Sequence, residues 1–590
     1  MPSPVLALRV DIPAEVVHEI FEQLSPHVRT DEGCLPVNDE EKAARRALSR
    51  CARACRAFYR PALKVLWREQ ELAQACRVLP SFTVQLVNPE PRNGHGSDGD
   101  NNEDWLPEET FEPSVDPQVY SYSYLPGPIS SEEWSRFAYH AQFIRVLRHE
   151  HGYGESFDPS VFFFLHQHAR GMPLFPNLRE LIWHYATSEV ISVISPTIRI
   201  LRFPGDLREE HIGRTDLTYC MRRDTFKMLL PSVLCITPAL RELEIQTLGH
   251  EQLWYQFVPP PTRSFVGRNI HTMRISESLG VLLRGALPAL SAIPALAVLE
   301  INDSEPRDDD TLHAFGPQIW DKPTTWSYNR LRRLRIDTYM AAVMAIIVDA
   351  IFAPELEDLE LVHKGYENSD HIPEPLRTIW TTLCSRNVTS LLRAHIDLRE
   401  CDLPWDYEDY EDEDTETEAV PPFLALTRPL LQLCQLRELD LYTGRRELLT
   451  DTSLLTMLAA WPMIEKLAIS VAVLPLSSLQ AIVQASPRLK SLTIKRFPPI
   501  VPLADYGFKS RCATSEDAAT GHALQELCFY SPPNILDPAN VVRIANFLDK
   551  LFPRLHAQRC VGKGTRFIQQ QSWINILDEI VKIQLARHGH

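Results

Sequence analysis

None of the twelve cysteines, at 34, 51, 55, 76, 220, 235, 384, 401, 434, 512, 528 and 560, forms a Cys-x-x-Cys pair. That spacing excludes the common zinc and redox motifs and gives no disulfide framework, and reduced, mostly buried thiols fit an intracellular protein. No stretch approaches the ~20 apolar residues that a membrane span needs. The opening MPSPVLAL has no basic n-region and no long apolar run, so no signal peptide is expected. Positive charge is outweighed, with 60 Lys+Arg against 77 Asp+Glu and a formal charge of −17. Such a balance argues against general nucleic-acid binding.

The usual signs of chemistry are missing as well. There is no Gly-x-Ser-x-Gly elbow, no His-Glu-x-x-His and no Gly-rich phosphate turn after a strand. VGKGTR, at 561–566, lacks the earlier Gly and the following helix of a P-loop, and reads as a turn. The pairs His149/His151 and His166/His168 have no Cys, Asp or Glu partner at zinc spacing, and read as packed or surface residues. These residues name no catalytic group, and the expectation is a cytosolic or nuclear protein with no cofactor, no metal, no nucleic acid and no membrane.

What is present begins at once. In RVDIPAEVVHEIFEQLSP (9–26), Ile12, Val16, Ile20 and Leu24 recur every fourth residue with Phe21 beside them, which is one face of a helix. Pro13 opens it and Pro26 closes it. After a polar stretch (27–46), helical spacing returns in 47–69, with Leu48, Cys51, Cys55 and Phe58 on one face. Pro61 is expected to interrupt, and Leu63, Leu66 and Trp67 form a third short stripe. Three helices this short bury little surface alone. They are either a helical cap on the next domain or a module that leaves an apolar face for a partner.

The particular residues resemble an F-box. Ile12-Pro13, Ile20-Phe21, Leu24, Leu48, Cys51, Cys55-Arg56, Phe58, Pro61, Leu66 and Trp67 occupy that family's places. Ala54 stands where Val or Ile is usual, and about twenty inserted residues separate the first two helices. The resemblance implies docking of a Skp-type adaptor of a cullin–RING ubiquitin ligase. Ile12, Pro13, Val16, Ile20, Phe21, Leu24, Leu48, Cys51, Cys55, Phe58, Leu66 and Trp67 would then face either that adaptor or the module's own core.

From about residue 175 one phrase recurs twelve times, as in FPNLRELIW (175), TPALRELEI (237), IPALAVLEI (293), APELEDLEL (353), SPRLKSLTI (486) and a decayed FPRLHAQRC (552). Eight copies carry Pro two residues before the first Leu: Pro176, Pro196, Pro238, Pro294, Pro354, Pro462, Pro487 and Pro553. Proline ends a helix and forces extended backbone before it, so each unit reads helix, break, short strand. A helix between successive strands makes the pairing parallel. The Leu-x-x-Leu-x-Leu core resembles leucine-rich repeats, although the family's Asn or Cys is mostly missing and the spacing runs from 20 to 45 residues. An ordinary doubly wound α/β domain is the alternative.

In a horseshoe the alternate strand residues line the concave face. Candidate partner-reading residues there are Glu242, Glu244, Glu300, Arg333, Arg335, Asp358, Glu360, Asp440 and Tyr442, with signs that run in blocks along the array. DYEDYEDEDTETE, at 406–418, carries nine acids in thirteen residues and reads as a solvated loop. Near the end, Ile574, Leu577, Ile580 or Val581, and Leu585 recur at helical spacing and are expected to cap the last repeat.

The expected architecture is therefore α/β: a small helical F-box-like module (9–70), a linker (71–135), an irregular leucine-rich-repeat solenoid (136–565, acidic loop 404–420) and a capping helix (566–590). The F-box/leucine-rich-repeat resemblance implies a substrate receptor of an SCF-type ligase that binds an unknown protein target. The alternatives are a repeat scaffold with no ligase role and an enzyme on an α/β domain.

Overall fold

The computed structural model describes residues 13–24, 39–87, 120–149, 155–183, 188–204, 228–246, 254, 257, 268–303, 324–364, 373–398, 427–443, 451–473, 476–496, 522–531, 537–560 and 571–588. Ile12, the acidic loop 404–420, His151 and the VGKGTR turn lie outside them. The chain forms two compact units, residues 1–248 with 262–270, and 249–261 with 271–590.

The first unit opens with three helices, α1 (Ala14–Gln23), α2 (Asp39–Ala54) and α3 (Arg56–Leu66). Cys55 alone separates α2 from α3, in extended geometry. Pro61 lies inside α3 and does not interrupt it. It removes one N–H, and the carbonyl left over belongs to the exposed Ala57, where water can serve it. Strand β1 (Glu69–Glu71) follows directly, then α4 (Leu72–Cys76). β1 pairs in parallel with β4 (Val146–His149), which pairs with β6 (Glu180–Trp183), then β7 (Ile200–Phe203) and β8 (Glu242–Gln246).

Residues 71–135, expected as linker, are largely structured where described. β2 (Thr83–Val87) and β3 (Tyr120–Tyr124) pair antiparallel, and β3 pairs in parallel with β5 (Glu155–Phe157) in a separate small sheet. α5 (Ser131–Ala141) starts on a capping box, with Ser130 and Glu133 exchanging side-chain and backbone bonds. α6 (Pro159–Ala169) is capped by Asp158.

Among the described residues the second unit contains a parallel ladder of nine strands: β9 (Thr272–Ser276), β10 (Val298–Asn302), β11 (Arg333–Thr338), β12 (Asp358–His363), β13 (Arg393–Leu398), β14 (Glu438–Thr443), β15 (Lys466–Val473), β16 (Ser491–Arg496) and β17 (Glu526–Ser531). Described helices between strands include α7 (Ala341–Ala350), α8 (Pro373–Asn387), α9 (Asp451–Ala460) and α10 (Leu476–Ala485). After β17 come α11 (Pro538–Leu551) and α12 (Gln571–His588). This is a leucine-rich-repeat-like α/β solenoid.

The register explains the repeated phrase. The second Leu of each copy falls in one row, Met273–Leu299–Leu334–Leu359–Ala394–Leu439–Leu467–Leu492–Leu527. Two residues on, a second row reads Ile275–Ile301–Ile336–Leu361–Ile396–Leu441–Ile469–Ile494–Phe529. Every member of both rows is buried. Each Leu, Ile, Met or Phe among them contributes about 1.5–3 kcal/mol by leaving water.

The recurrent proline sits at the second position of a β-turn. The N–H of Leu178 donates to the Phe175 carbonyl at 3.2 Å, Leu240 to Thr237 at 3.1 Å, Leu356 to Ala353 at 3.2 Å and Leu489 to Ser486 at 3.1 Å, each bond spanning the Pro. Proline's fixed φ suits that position and its missing N–H is not used there.

A second pattern runs along the strand ends. Glu277, Asp303, Thr338 and His363 are buried at corresponding places on consecutive strands. The Thr338 hydroxyl donates to Asp303 Oδ2 at 3.2 Å, and Trp254 Nε1 donates to Glu277 Oε1 at 3.3 Å. That polar row lies two residues after the third apolar position of each copy, one residue before the place where a leucine-rich repeat carries asparagine or cysteine.

At the C-terminal end the last copy of the phrase forms no strand. His556 N–H makes one ladder bond to the Gln525 carbonyl, 2.8 Å, and a short 3-10 turn (Ala557–Arg559) follows. α12 buries Trp573, Ile576, Leu577 and Ile580, and the Trp573 ring meets Phe529 edge-on at 4.9 Å. The apolar stripe is thus shifted from the expected one: Val581 and Leu585 are exposed.

Candidate functional site

Two surfaces emerge from this frame, the outer side of α1 and the strand faces. On α1, Val17 and Phe21 turn inward with only 6% and 3% of their surface exposed. They pack with Leu48 and Ala52 of α2 and with Ala62, Leu63 and Val65 of α3. The Phe21 ring meets Phe58 edge-on at 5.6 Å. One residue back, Val16 and Ile20 are 46% and 52% exposed. They lie i and i+4 on one side of the helix, so they form a short apolar ridge. Pro13 at the N-cap is exposed beside it.

The structure divides the sequence-derived set accordingly. Pro13, Val16, Ile20 and Cys55 are exposed. Phe21 and Leu48 fill the module's core, so they are withdrawn as docking contacts. Leu24, Cys51, Phe58, Leu66 and Trp67 are half-buried against that core. The four-residue spacing read at the start merged two edges of α1, because a helix ten residues long has room for an inner pair and an outer pair one position apart.

The module is tied to the strands beside it. Glu22 of α1 pairs with Arg68, which precedes β1, and His18 lies 3.3 Å from Glu22. The Arg68 carbonyl accepts from the N–H groups of Arg145 (2.8 Å) and Val146 (2.9 Å). The Trp67 ring lies 4.3 Å from His140 of α5. Burial, and then the charge of Arg136, hold His140 below the ordinary histidine pKa.

On the strand faces, the predicted charged residues are brought together in pairs across neighbouring strands. Arg274 Nε lies 2.8 Å from Glu300, Arg333 3.2 Å from Glu360, Arg335 3.0 Å from Glu360, and Arg393 3.1 Å from Asp358. Lys466 Nζ and His395 Nδ1 approach Asp440 Oδ2 at 3.0 and 3.4 Å. Burial raises the Asp440 pKa, but the bonds and charges of His395 and Lys466 outweigh it and hold the carboxyl below its usual range. In the first unit Arg202 sits among Glu180 (3.9 Å), Glu242 (3.0 Å) and Glu244 (4.0 Å). Burial pushes Glu180 up against the opposing charges of Arg202 and Arg148. The blocks of one sign read along the sequence thus become alternating signs across the sheet. Tyr442 is buried, with its ring 5.6 Å from His395, and presents no open phenol face.

Where described, the His-x-His pairs are packed or surface residues: His149 is buried, His168 half-buried and His166 exposed. His149 takes an inward strand position, 4.2 Å from the Trp183 ring. His166 and His168 bond the carbonyls of Ser192 and Ile129, each at 2.9 Å.

No family model matches the chain, and no curated protein matches it. Among solved structures it is similar to a chain of the yeast Rad7 and Elc1 complex, with 10% identity, 62% of this chain and 72% of that chain covered, and a TM-score of 0.27. It is also similar to a protein of Bacteroides fragilis, with 11% identity, 43% and 68% covered, and a TM-score of 0.22. Superposition this loose says nothing of partners or chemistry.

Proposed function

We propose that this chain is the substrate-recognition subunit of an SCF-type ubiquitin ligase. The F-box-like module docks a Skp-type adaptor, and the solenoid binds a protein target. The observation that carries the reading is the outer ridge of α1: Val16 and Ile20 stand in solvent while Val17 and Phe21 already complete the core. An apolar pair left out of a finished core has no folding role to explain it, and covering it with a partner returns about 1–2 kcal/mol per side chain. The F-box-like sequence supplies the identity of that partner.

The chain does no chemistry on this reading. Its contribution is positional: it raises the local concentration of target beside a ligase that carries the activated ubiquitin. The protein works in the cytosol or nucleus. Adaptor capture tests this. The wild-type protein should co-purify with a recombinant Skp-type adaptor, and the double variant V16D/I20D should not, while both keep the same circular dichroism. Failure of the folded wild type to hold the adaptor would overturn the receptor reading.

A further inference from the structure

The outer sides of α2 and α3 in the N-terminal module are strongly basic. Residues 42–68 hold nine Lys and Arg and no Asp or Glu, within a chain of formal charge −17. Arg46, Arg50 and Arg53 on α2, and Arg56, Arg60 and Lys64 on α3, are all exposed. Their spacing of three or four residues sets them along one side of each helix. At about 1.5 Å per residue the two stretches run roughly 10 and 12 Å.

Among the described residues none of these six cations pairs with a carboxylate; Arg53 bonds only the Ser49 carbonyl of its own helix, at 3.3 Å. The contrast with the strand faces is sharp, since there the arginines are matched across the ladder. Unmatched cations this close repel one another and so cost stability. Among the described residues no carboxylate contact offsets that cost.

We infer that this basic stripe is a docking surface for an acidic protein surface, and, resting on the adaptor-docking function proposed for the module, that the adaptor seated on the Val16–Ile20 ridge supplies it. Ridge and stripe belong to the same three-helix body. Five of the six cations are arginine, whose planar guanidinium suits carboxylate pairs. The stripe is finite and sits on an acidic chain. A long polyphosphate leaving it would run onto like charge, whereas a compact acidic face ends where the stripe ends. The ridge then fixes the complex and the stripe draws the partner in.

The test is association kinetics of the full chain with a recombinant Skp-type adaptor at 50 and 500 mM NaCl. Wild type should associate at least about 10-fold faster at low salt. A variant with all six cations changed to Gln (R46Q, R50Q, R53Q, R56Q, R60Q, K64Q) should lose most of that salt dependence and associate about 10-fold more slowly at 50 mM, with dissociation nearly unchanged. Circular dichroism confirms that its exposed helices persist. A fluorescent 20-nucleotide single strand serves as the competing polyanion. If V16D/I20D abolishes adaptor binding but the six-Gln variant associates like wild type, this inference is overturned and the docking reading stands. If the oligonucleotide binds at physiological salt and competes with the adaptor on the stripe, the choice of an acidic protein is overturned. If wild type binds no adaptor, both fall together.

Discussion

Phe21 and Ile20 are adjacent, and substituting each by Ala should have opposite consequences. Phe21 is 3% exposed and its ring meets Phe58 at 5.6 Å. Deleting such a ring costs about 3–5 kcal/mol in transfer and cavity terms. The edge-on aromatic contact accounts for about 0.5–1.5 kcal/mol of it. α1 has ten residues and cannot persist without its anchor. Ile20 is 52% exposed, so Ile20→Ala should change stability by no more than about 0.5 kcal/mol. The chain has two units, so a single melting temperature is a poor readout. Hydrogen exchange resolved to α1 and α3 is the suitable assay. Phe21→Ala should lower protection there by about 100- to 4,000-fold, since about 1.4 kcal/mol is tenfold. Ile20→Ala should leave it unchanged. Equal losses, or a larger loss for Ile20→Ala, would mean that α1 faces the other way and that the ridge does not exist.

The ladder and its ends give further expectations. Asp440 has a folded pKa below its unfolded value, so its ionised form stabilises the fold. That contribution is complete above the ordinary aspartate pKa of about 3.9 and disappears as pH falls through the lower folded value. Asp440→Asn should therefore flatten the acid limb of the second unit's unfolding curve below about pH 4. Thr338→Val leaves the buried Asp303 short of a donor and should cost about 1–3 kcal/mol in urea unfolding. Arg587 pairs with Asp549, which is almost wholly buried, so Arg587→Ala should release α12 to proteolysis, with partial rescue by Asp549→Asn.

Much of the fold was legible because parallel buried strands repeat one apolar phrase. Leu243, Leu299, Leu334 and Leu467 fall where the phrase placed them, and Pro176 and Pro487 mark the turns before their strands. β1 was not legible. Its inward residue is Gln70, satisfied by the Leu66 carbonyl at 2.7 Å, so Glu-Gln-Glu carries no apolar signal. His149 hid β4 in a similar way, as a histidine in an isoleucine's place. Pro61 misled because a proline inside a helix is tolerated where the stranded carbonyl meets water. On the candidate site, periodicity found the right helix but could not assign Val16 and Val17 to opposite sides, since that choice is made by what α2 and α3 place beneath it. Pairing on the strand faces was invisible for a related reason: Arg274 and Glu300 are 26 residues apart and meet only through register.

The central claim is that the α1 ridge exists to be covered by another subunit, and calorimetric titration with a purified Skp-type adaptor tests it most directly. The account predicts saturable one-to-one binding by wild type with a negative heat-capacity change, the mark of buried apolar surface, and a loss of at least about 100-fold in affinity for folded V16D/I20D. Equal affinity for the two proteins would contradict it.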